Sequence, residues 1–358
     1  MSGHNRSRRV TIREVADKAG VSPSTVSRAF ARPDRVSAAT TKRIFAAADA
    51  LGYYTEPVDT VPSRTLRGMI AIIVPDIANQ FFSDIIRSVQ HEFNLAGFAL
   101  IVAESEESAS RERAAFNKIA AYVDGVILTS SRMPDVMIRK CAQTRPIVVV
   151  NRTVRGVPSV AIDIGTGIRQ AAELLVSMGF SRVTYLDGPS SSWSVGVRWN
   201  HTCEEFRKRG VSVRRIWPGL PTFVGGYALA KQYLNDPTGA VIAHNDLMAL
   251  GFMAAMRRQG IRCPDDYVII GFDNDTMAQV SDPPLSSVGN TPPKLGKTAA
   301  GILLDRLNGR TNLAQSIMIP SRLIVRESTG KATSGSRSGK VSTNHGNIET
   351  VSFQARIG

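Results

Sequence analysis

The chain has 358 residues, 43% of them hydrophobic and 21% charged, with a formal net charge of +14. That length is too great for one ordinary core and suits two or three domains of about 100–150 residues each, and the composition is that of a globular protein. No run approaches the ~18 consecutive apolar residues that a membrane helix needs, and the arginine-rich start leads into no apolar export segment.

The excess charge gathers at the start, where residues 1–56 carry ten Lys/Arg against five Asp/Glu, a balance that suits a polyanionic partner. Thr11 followed by Glu14 is a capping-box pair and opens a short helix over residues 12–19. Gly20 then supplies the residue for a sharp turn, and Ser22-Pro23 is a second helix start, an N-cap with proline at the first helical position. The second helix is expected to run to about residue 30 with Val26 and Phe30 inward, and a third from Ser37 through Leu51 closes the core. Two short helices about a glycine turn, closed by a third, describe a helix-turn-helix unit.

In that motif the first residues of the second helix meet base edges in the major groove. Here they are Pro23, Ser24 and Thr25, with Ser27 and Arg28 following on the same side. Arg28 can make a bidentate contact to guanine, while Ser22, Thr25, Ser27 and Thr40 suit phosphates that fix register. Thr11 and Ser37, at two helix starts, complete the expected DNA-binding set.

The run from Thr11 to Arg28, with Val36-Ser37 and Leu51-Gly52-Tyr53 behind it, resembles the headpiece of the lactose-repressor family of bacterial transcription regulators. Ala31 departs from the asparagine usual there. The resemblance implies a hinge helix whose leucine wedges into the minor groove. In this chain Pro62 takes the leucine's place, with Asp59 and Thr60 where alanine and arginine are common. A proline inside a helix costs about 3 kcal/mol. The expectation is therefore no regular hinge helix over residues 57–63 and a less bent operator, with Val61 a poorer wedge and Leu66 the alternative if the alignment slips.

Beyond Arg67 short β-branched runs alternate with helical stretches. Strands are expected at 69–74, 99–103, 125–129, 147–150, 160–162, 183–186, 240–243 and 268–271, with helices at 82–96, 109–122, 167–178 and 246–258 among them. That alternation implies parallel sheets covered on both faces, with ligands bound beyond the carboxyl ends of the strands. The candidates at those ends are Asp76, Asn79, Phe81, Phe82, Asn151, Arg152, Asp163, Asn245, Asp246 and Asp273, with Trp193 and Arg198 on the helix after strand 183–186. Carboxylates, an arginine, amides and rings converging on a cleft suit a polyhydroxylated ligand, a sugar or sugar acid. Each has a plainer reading: Asp163 and Asp246 as helix caps, Phe81 or Phe82 as core, Arg198 in a surface ion pair.

The resemblance covers roughly residues 10–330 and includes Val123-Asp124-Gly125, Trp193 with Arg198, Asn245-Asp246-Leu247-Met248-Ala249-Leu250-Gly251, Gly271-Phe272-Asp273-Asn274 and the stretch from Leu323 to Ser328. It implies an all-α helix-turn-helix headpiece (residues 1–56), a linker (57–67) and a two-lobed α/β sensor like periplasmic binding proteins (68–330). Lobe one would hold about 68–163 and 292–320, lobe two about 164–291 and 321–330. Arg198 and Asp273 match the family's most regular effector-binding residues. Family members are homodimers, or tetramers with a leucine-heptad tail. Residues 331–358 have no such heptad and a disordered composition, so a dimer on palindromic double-stranded DNA is expected.

An enzyme reading finds little support. Gly165-Thr166-Gly167 is followed by Gln170 where a dinucleotide loop requires Gly or Ala. The five histidines are scattered, and Cys141, Cys203 and Cys263 lie too far apart for a metal cluster or a disulfide framework. No cofactor or metal is expected, and a reducing cytoplasm is the natural home. A sugar-binding protein without a DNA role would account for residues 68–330 and leave the basic headpiece unexplained.

Overall fold

Three short helices gather around small aliphatic side chains at the start of the chain. The computed structural model describes residues 11–31, 36–51, 66–217, 219–289, 292–310 and 316–330, in two compact units, residues 1–65 and 66–358. The expectations for the linker at 57–63, the side chain of Phe30 and the tail from 331 lie outside the described residues.

In the first unit α1 (Ile12–Ala19), α2 (Pro23–Ala31) and α3 (Ala38–Leu51) bury Val15, Ala16, Ala19, Val26, Ala29, Ile44, Ala47 and Ala48. The capping box forms as expected: the Thr11 amide donates to Glu14 Oε2 at 2.6 Å and the Glu14 amide to Thr11 Oγ1 at 3.4 Å. Gly20 ends α1 at φ +63°, a left-handed value that strains residues with a Cβ, and its amide donates to the carbonyls of Ala16 and Asp17.

The second unit contains two sheets with one winding pattern. The first comprises β1 (Met69–Val74), β2 (Ala99–Glu104), β3 (Gly125–Thr129), β4 (Ile147–Val150), β5 (Ser159–Asp163) and β11 (Ser316–Pro320), in the order β11-β5-β4-β3-β1-β2. The second comprises β6 (Arg182–Leu186), β7 (Ser212–Ile216), β8 (Ala240–Ala243), β9 (Val268–Phe272), β10 (Ser286–Gly289) and β12 (Arg322–Ile324), in the order β12-β10-β9-β8-β6-β7. The central strands are nearly continuous aliphatic runs because helices cover both faces: β3, β4 and β8 are buried along their whole length.

Both sheets are parallel as expected, apart from the edge strand β12, which pairs antiparallel with β10. The chain passes between the sheets after β5, after β10 and after β11. Around the first sheet lie α4 (Gln80–Leu95), α5 (Ala109–Ile119), α6 (Asp135–Ala142) and α12 (Pro292–Leu307). Around the second lie α7 (Gly165–Ser177), α8 (Trp193–Arg207), α9 (Phe223–Tyr233), α10 (Asp246–Arg258) and α11 (Thr276–Val280). The glycine-rich run at Gly165 is thus the first turn of α7. In each sheet the winding reverses between neighbouring strands, at β1/β3 and at β6/β8, and such switch points open a crevice beyond the strands' carboxyl ends.

Candidate functional site

The exposed side of the headpiece begins at α2. Pro23, Ser24, Ser27 and Arg28 are exposed, and Arg28 has no ion pair among the described residues. Two residues of the expected DNA-binding set, Ser22 and Ser37, already act as caps. Ser22 Oγ accepts from the Thr25 amide at 3.2 Å and lies 2.8 Å from Thr25 Oγ1. Ser37 Oγ accepts from the Thr40 amide at 3.2 Å and donates to Thr40 Oγ1 at 2.8 Å. A hydroxyl retains further hydrogen-bonding capacity in such a role, so the caps preset these side chains at the helix starts.

In the second unit the densest polar network stands beyond β8 and β9. Arg198, buried on α8, donates from Nη1 to the His244 carbonyl at 2.5 Å and from Nη2 to Asp273 Oδ1 at 2.8 Å, with its guanidinium 4.8 Å from the centre of the Phe272 ring. Asp273 has φ +107° and Asn274 φ +57°, backbone that L residues rarely adopt. Such residues cost about 1–3 kcal/mol each and persist where the surroundings over-determine them. Here the Asp273 amide is held by Val288 and its carboxylate by Arg198. Burial pushes the Asp273 carboxyl up to about 6, against the opposing pull of Arg198.

Beside it, Asn245 caps α10: its Oδ1 accepts from the Met248 amide at 2.9 Å while Nδ2 donates to the Pro221 carbonyl at 2.9 Å. Asp246 is fully buried and accepts from the Asp275 amide at 3.0 Å and from Ser287 Oγ at 2.8 Å. Burial, reinforced by Asp275 and Asp273, raises its carboxyl well above the usual range. Gly271 lies so close that a Cβ there would meet Asp246 Oδ1 at 2.1 Å, which gives a physical reason for glycine in Gly271-Phe272-Asp273-Asn274. Asp246 is therefore a structural tie within the second lobe, while the cap belongs to Asn245. Asp163 is the last residue of β5 and turns onto the Gly165 amide at 3.0 Å. Trp193 opens α8 half-buried.

The first sheet's candidates are placed differently. Asp76 Oδ1 accepts from the Ala78 amide at 2.8 Å, within its own turn. Phe81 and Phe82 meet edge to face at 5.2 Å and are buried in the core with Ile85 and Val89, the plainer of their two readings. Asn151, at φ +59°, donates to Ser130 Oγ at 2.9 Å. Arg152 turns back into its own lobe, donating to the carbonyls of Ser131 and Met133 at 2.7 and 2.8 Å and pairing with Asp135 at 2.5 Å.

Two groups escaped the sequence reading. His244 directly follows β8, ahead of the amide and acid that were singled out. Gln80 and Thr276 join the lobes: Gln80 Nε2 donates to Thr276 Oγ1 at 2.6 Å, and the Thr276 amide donates to Gln80 Oε1 at 3.2 Å. The strand-end rule could have found His244, but no local spacing signals the Gln80–Thr276 pair. All three cysteines are free. Among the described residues no helix is long and apolar enough to cross a membrane, and no group of three His, Cys, Asp or Glu could hold a metal ion.

Residues 11–56 match the model of bacterial regulatory proteins of the lacI family, and residues 172–329 match a periplasmic binding protein-like domain. The repressor CytR of Escherichia coli strain K12 is 34% identical over 327 residues, spanning 89% of this chain and 96% of that protein. The ribose operon repressor of Bacillus subtilis strain 168 is 30% identical, spanning 90% and 99%. Among solved structures, the regulator CelR in complex with cellobiose superposes with TM-score 0.69 at 29% identity, covering 89% of this chain and all of that one. A lac repressor dimer bound to operator shares the fold, with TM-score 0.67 at 24% identity over 90% and 99% of the two chains. With the capped headpiece, the doubly wound sensor and relatives matched from end to end, the chain belongs to the lacI family of bacterial regulatory proteins.

Proposed function

We propose that this protein is a cytoplasmic transcriptional repressor. Two copies hold a palindromic operator through α2, and a small hydroxylated effector in the sensor sets their grip. The observation that carries the reading is the union, in one chain, of an exposed α2 face bearing Arg28, which has no ion pair among the described residues, with a buried Arg198–Asp273 network at strand ends. In this reading residues 1–56 read DNA, 57–67 link, 68–330 sense the effector and 331–358 form a tail. A sugar or sugar acid fits the polar strand ends, and relatives named for ribose and bound to cellobiose support that class. Control works through two lobe arrangements that bind the effector unequally, with a coupling of about 1–3 kcal/mol.

The headpiece half is tested on operator-like and random DNA. Arg28→Ala is expected to cost about 1–3 kcal/mol on the operator and to relax preference at one base position. Arg43→Ala is expected to weaken all sequences alike and to flatten the salt dependence. Equal losses on both DNAs for Arg28→Ala would refute its role as a reader.

A further inference from the structure

The charged side chains around the strand ends are already balanced. Arg132 donates from Nε to Glu107 at 2.7 Å and from Nη1 to the Ser130 carbonyl at 2.7 Å, Arg152 pairs with Asp135, and Arg198 pairs with Asp273. All three guanidinium side chains are at least nine-tenths buried. Three further buried acids are also occupied inside the second lobe: Asp187 by Arg215, Asp246 by the Asp275 amide and Ser287, and Asp275 by the Ala278 amide. An anionic ligand would therefore meet no unpaired buried cation among these residues, and burying a charge without a counter-charge costs several kcal/mol.

Several buried polar atoms among the described residues have no hydrogen-bond partner, Thr129 Oγ1 and Arg152 Nε among them, and the imidazole of His244 is one that directly follows a strand of the second sheet. His244 stands at the β6/β8 switch point, its ring against Gly188 just after β6, where a Cβ would meet its Cδ2 at 2.6 Å. It is 5% exposed, and its Nδ1 is buried without a hydrogen-bond partner. Burial, then the positive charges of Arg198 on its own lobe and Arg132 on the other, hold the imidazole well below its usual range, so the ring is neutral. A neutral imidazole offers one donor and one acceptor. A buried polar atom left unpaired is destabilising, and a ligand hydroxyl or amide could satisfy it.

We infer that the cleft selects an uncharged hydroxylated effector and that His244 contributes a hydrogen bond to it. This rests on the effector-site reading above and narrows it, setting sugar acids and phosphorylated sugars aside.

The test uses the full-length protein and calorimetric titration with matched probes: ribose and its terminal phosphate ester, glucose and gluconate, adenosine and its monophosphate. The neutral member of a binding pair is expected to bind at least about tenfold more tightly than its charged twin, the lower end of the charge-burial penalty. On His244→Phe, which keeps a planar ring and removes both nitrogens, the neutral probe is expected to weaken at least about fivefold. On His244→Gln, whose amide can replace a ring nitrogen, part of that loss should return. Circular dichroism of each variant checks the fold, and His244→Gln carries the test if the phenylalanine variant misfolds. A charged twin binding as tightly as its neutral partner, or neutral-probe affinity unchanged in both His244 variants, overturns the inference. If those failures occur while Arg198→Ala abolishes binding, the cleft reading stands without it. Binding that survives Arg198→Ala unchanged removes the cleft reading as well.

Discussion

At the carboxyl ends of the first sheet, Asn151 and Arg152 bond to the loop that follows β3, and Phe81 and Phe82 fold into the core. At the corresponding ends of the second sheet, Arg198 gathers His244 and Asp273 from two strand ends into one buried network beside Asn245 and Asp246. The winding is shared, but the first lobe's polar side chains bond to its own loops, and the second lobe's join two strand ends and a helix in one buried network, the site proposed above. Arg152 and Arg198 both look like ligand-gripping arginines in the sequence. What distinguishes them is the partner: Asp135 is 45% exposed and can be rehydrated, whereas Asp273 is 10% exposed and cannot.

The sharpest way to break this comparison is to truncate both arginines. Arg198→Ala leaves a carboxylate buried without a counter-charge, and breaking one partner of a buried pair costs about 3–5 kcal/mol. The expected outcome in urea titration is a large fall in midpoint, together with loss of effector response. A loss under about 1 kcal/mol would show that Asp273 reaches water.

Asp273 also sets a pH dependence. Burial raises its folded carboxyl from the ordinary 3.8 to about 6, so between those values the folded state holds a proton that the unfolded chain has released. The contribution is therefore full at pH below the unfolded value and is lost as pH rises through the folded one. At about 1.4 kcal/mol per unit it reaches about 3 kcal/mol. Burial raises Asp246, Asp275, Asp187 and Glu112 as well, which tilts stability the same way. Asp273→Asn should flatten only part of the fall in urea stability between pH ~4 and ~6. An unchanged slope would mean that Asp273 is ionised throughout.

Arg152→Ala is expected to cost less, about 1–3 kcal/mol for two carbonyl bonds, with effector affinity within about twofold of wild type. A loss of effector binding as deep as that of Arg198→Ala would restore Arg152 to the site and erase the contrast between the lobes.

The strands β1, β3, β4 and β8 were legible because a buried parallel strand needs an unbroken aliphatic run. The edge strand β7, Ser-Val-Arg-Arg-Ile, carries no such run, and β10, Ser-Ser-Val-Gly, is buried through hydrogen bonds of Ser286 to Ser328 and Thr329. Placement after strand ends brought Asp273 and Asn245 into view, and the family resemblance singled out Arg198 with Asp273. Neither could foretell that Ser131, Met133 and Asp135 would claim Arg152, since that depends on how a distant loop folds back.

Removing the pair that joins the lobes tests whether they communicate through it. Gln80 stands at the start of α4 in the first lobe, and Thr276 at the start of α11 in the second, with two reciprocal bonds between them. Both groups are accessible to water, so each bond contributes only about 0.5–1.5 kcal/mol. That is nonetheless comparable to an allosteric coupling of about 1–3 kcal/mol. Gln80→Ala removes both bonds, while Thr276→Val removes the hydroxyl and keeps the backbone amide. In effector titrations followed by operator binding, each variant should shift the half-maximal concentration by about two- to tenfold. The Gln80→Ala change should be the larger, and the double variant should fall short of the sum because both remove the same hydroxyl bond. Strict additivity would mean that Gln80 and Thr276 do not meet in solution, and the two lobes would then couple by some other route.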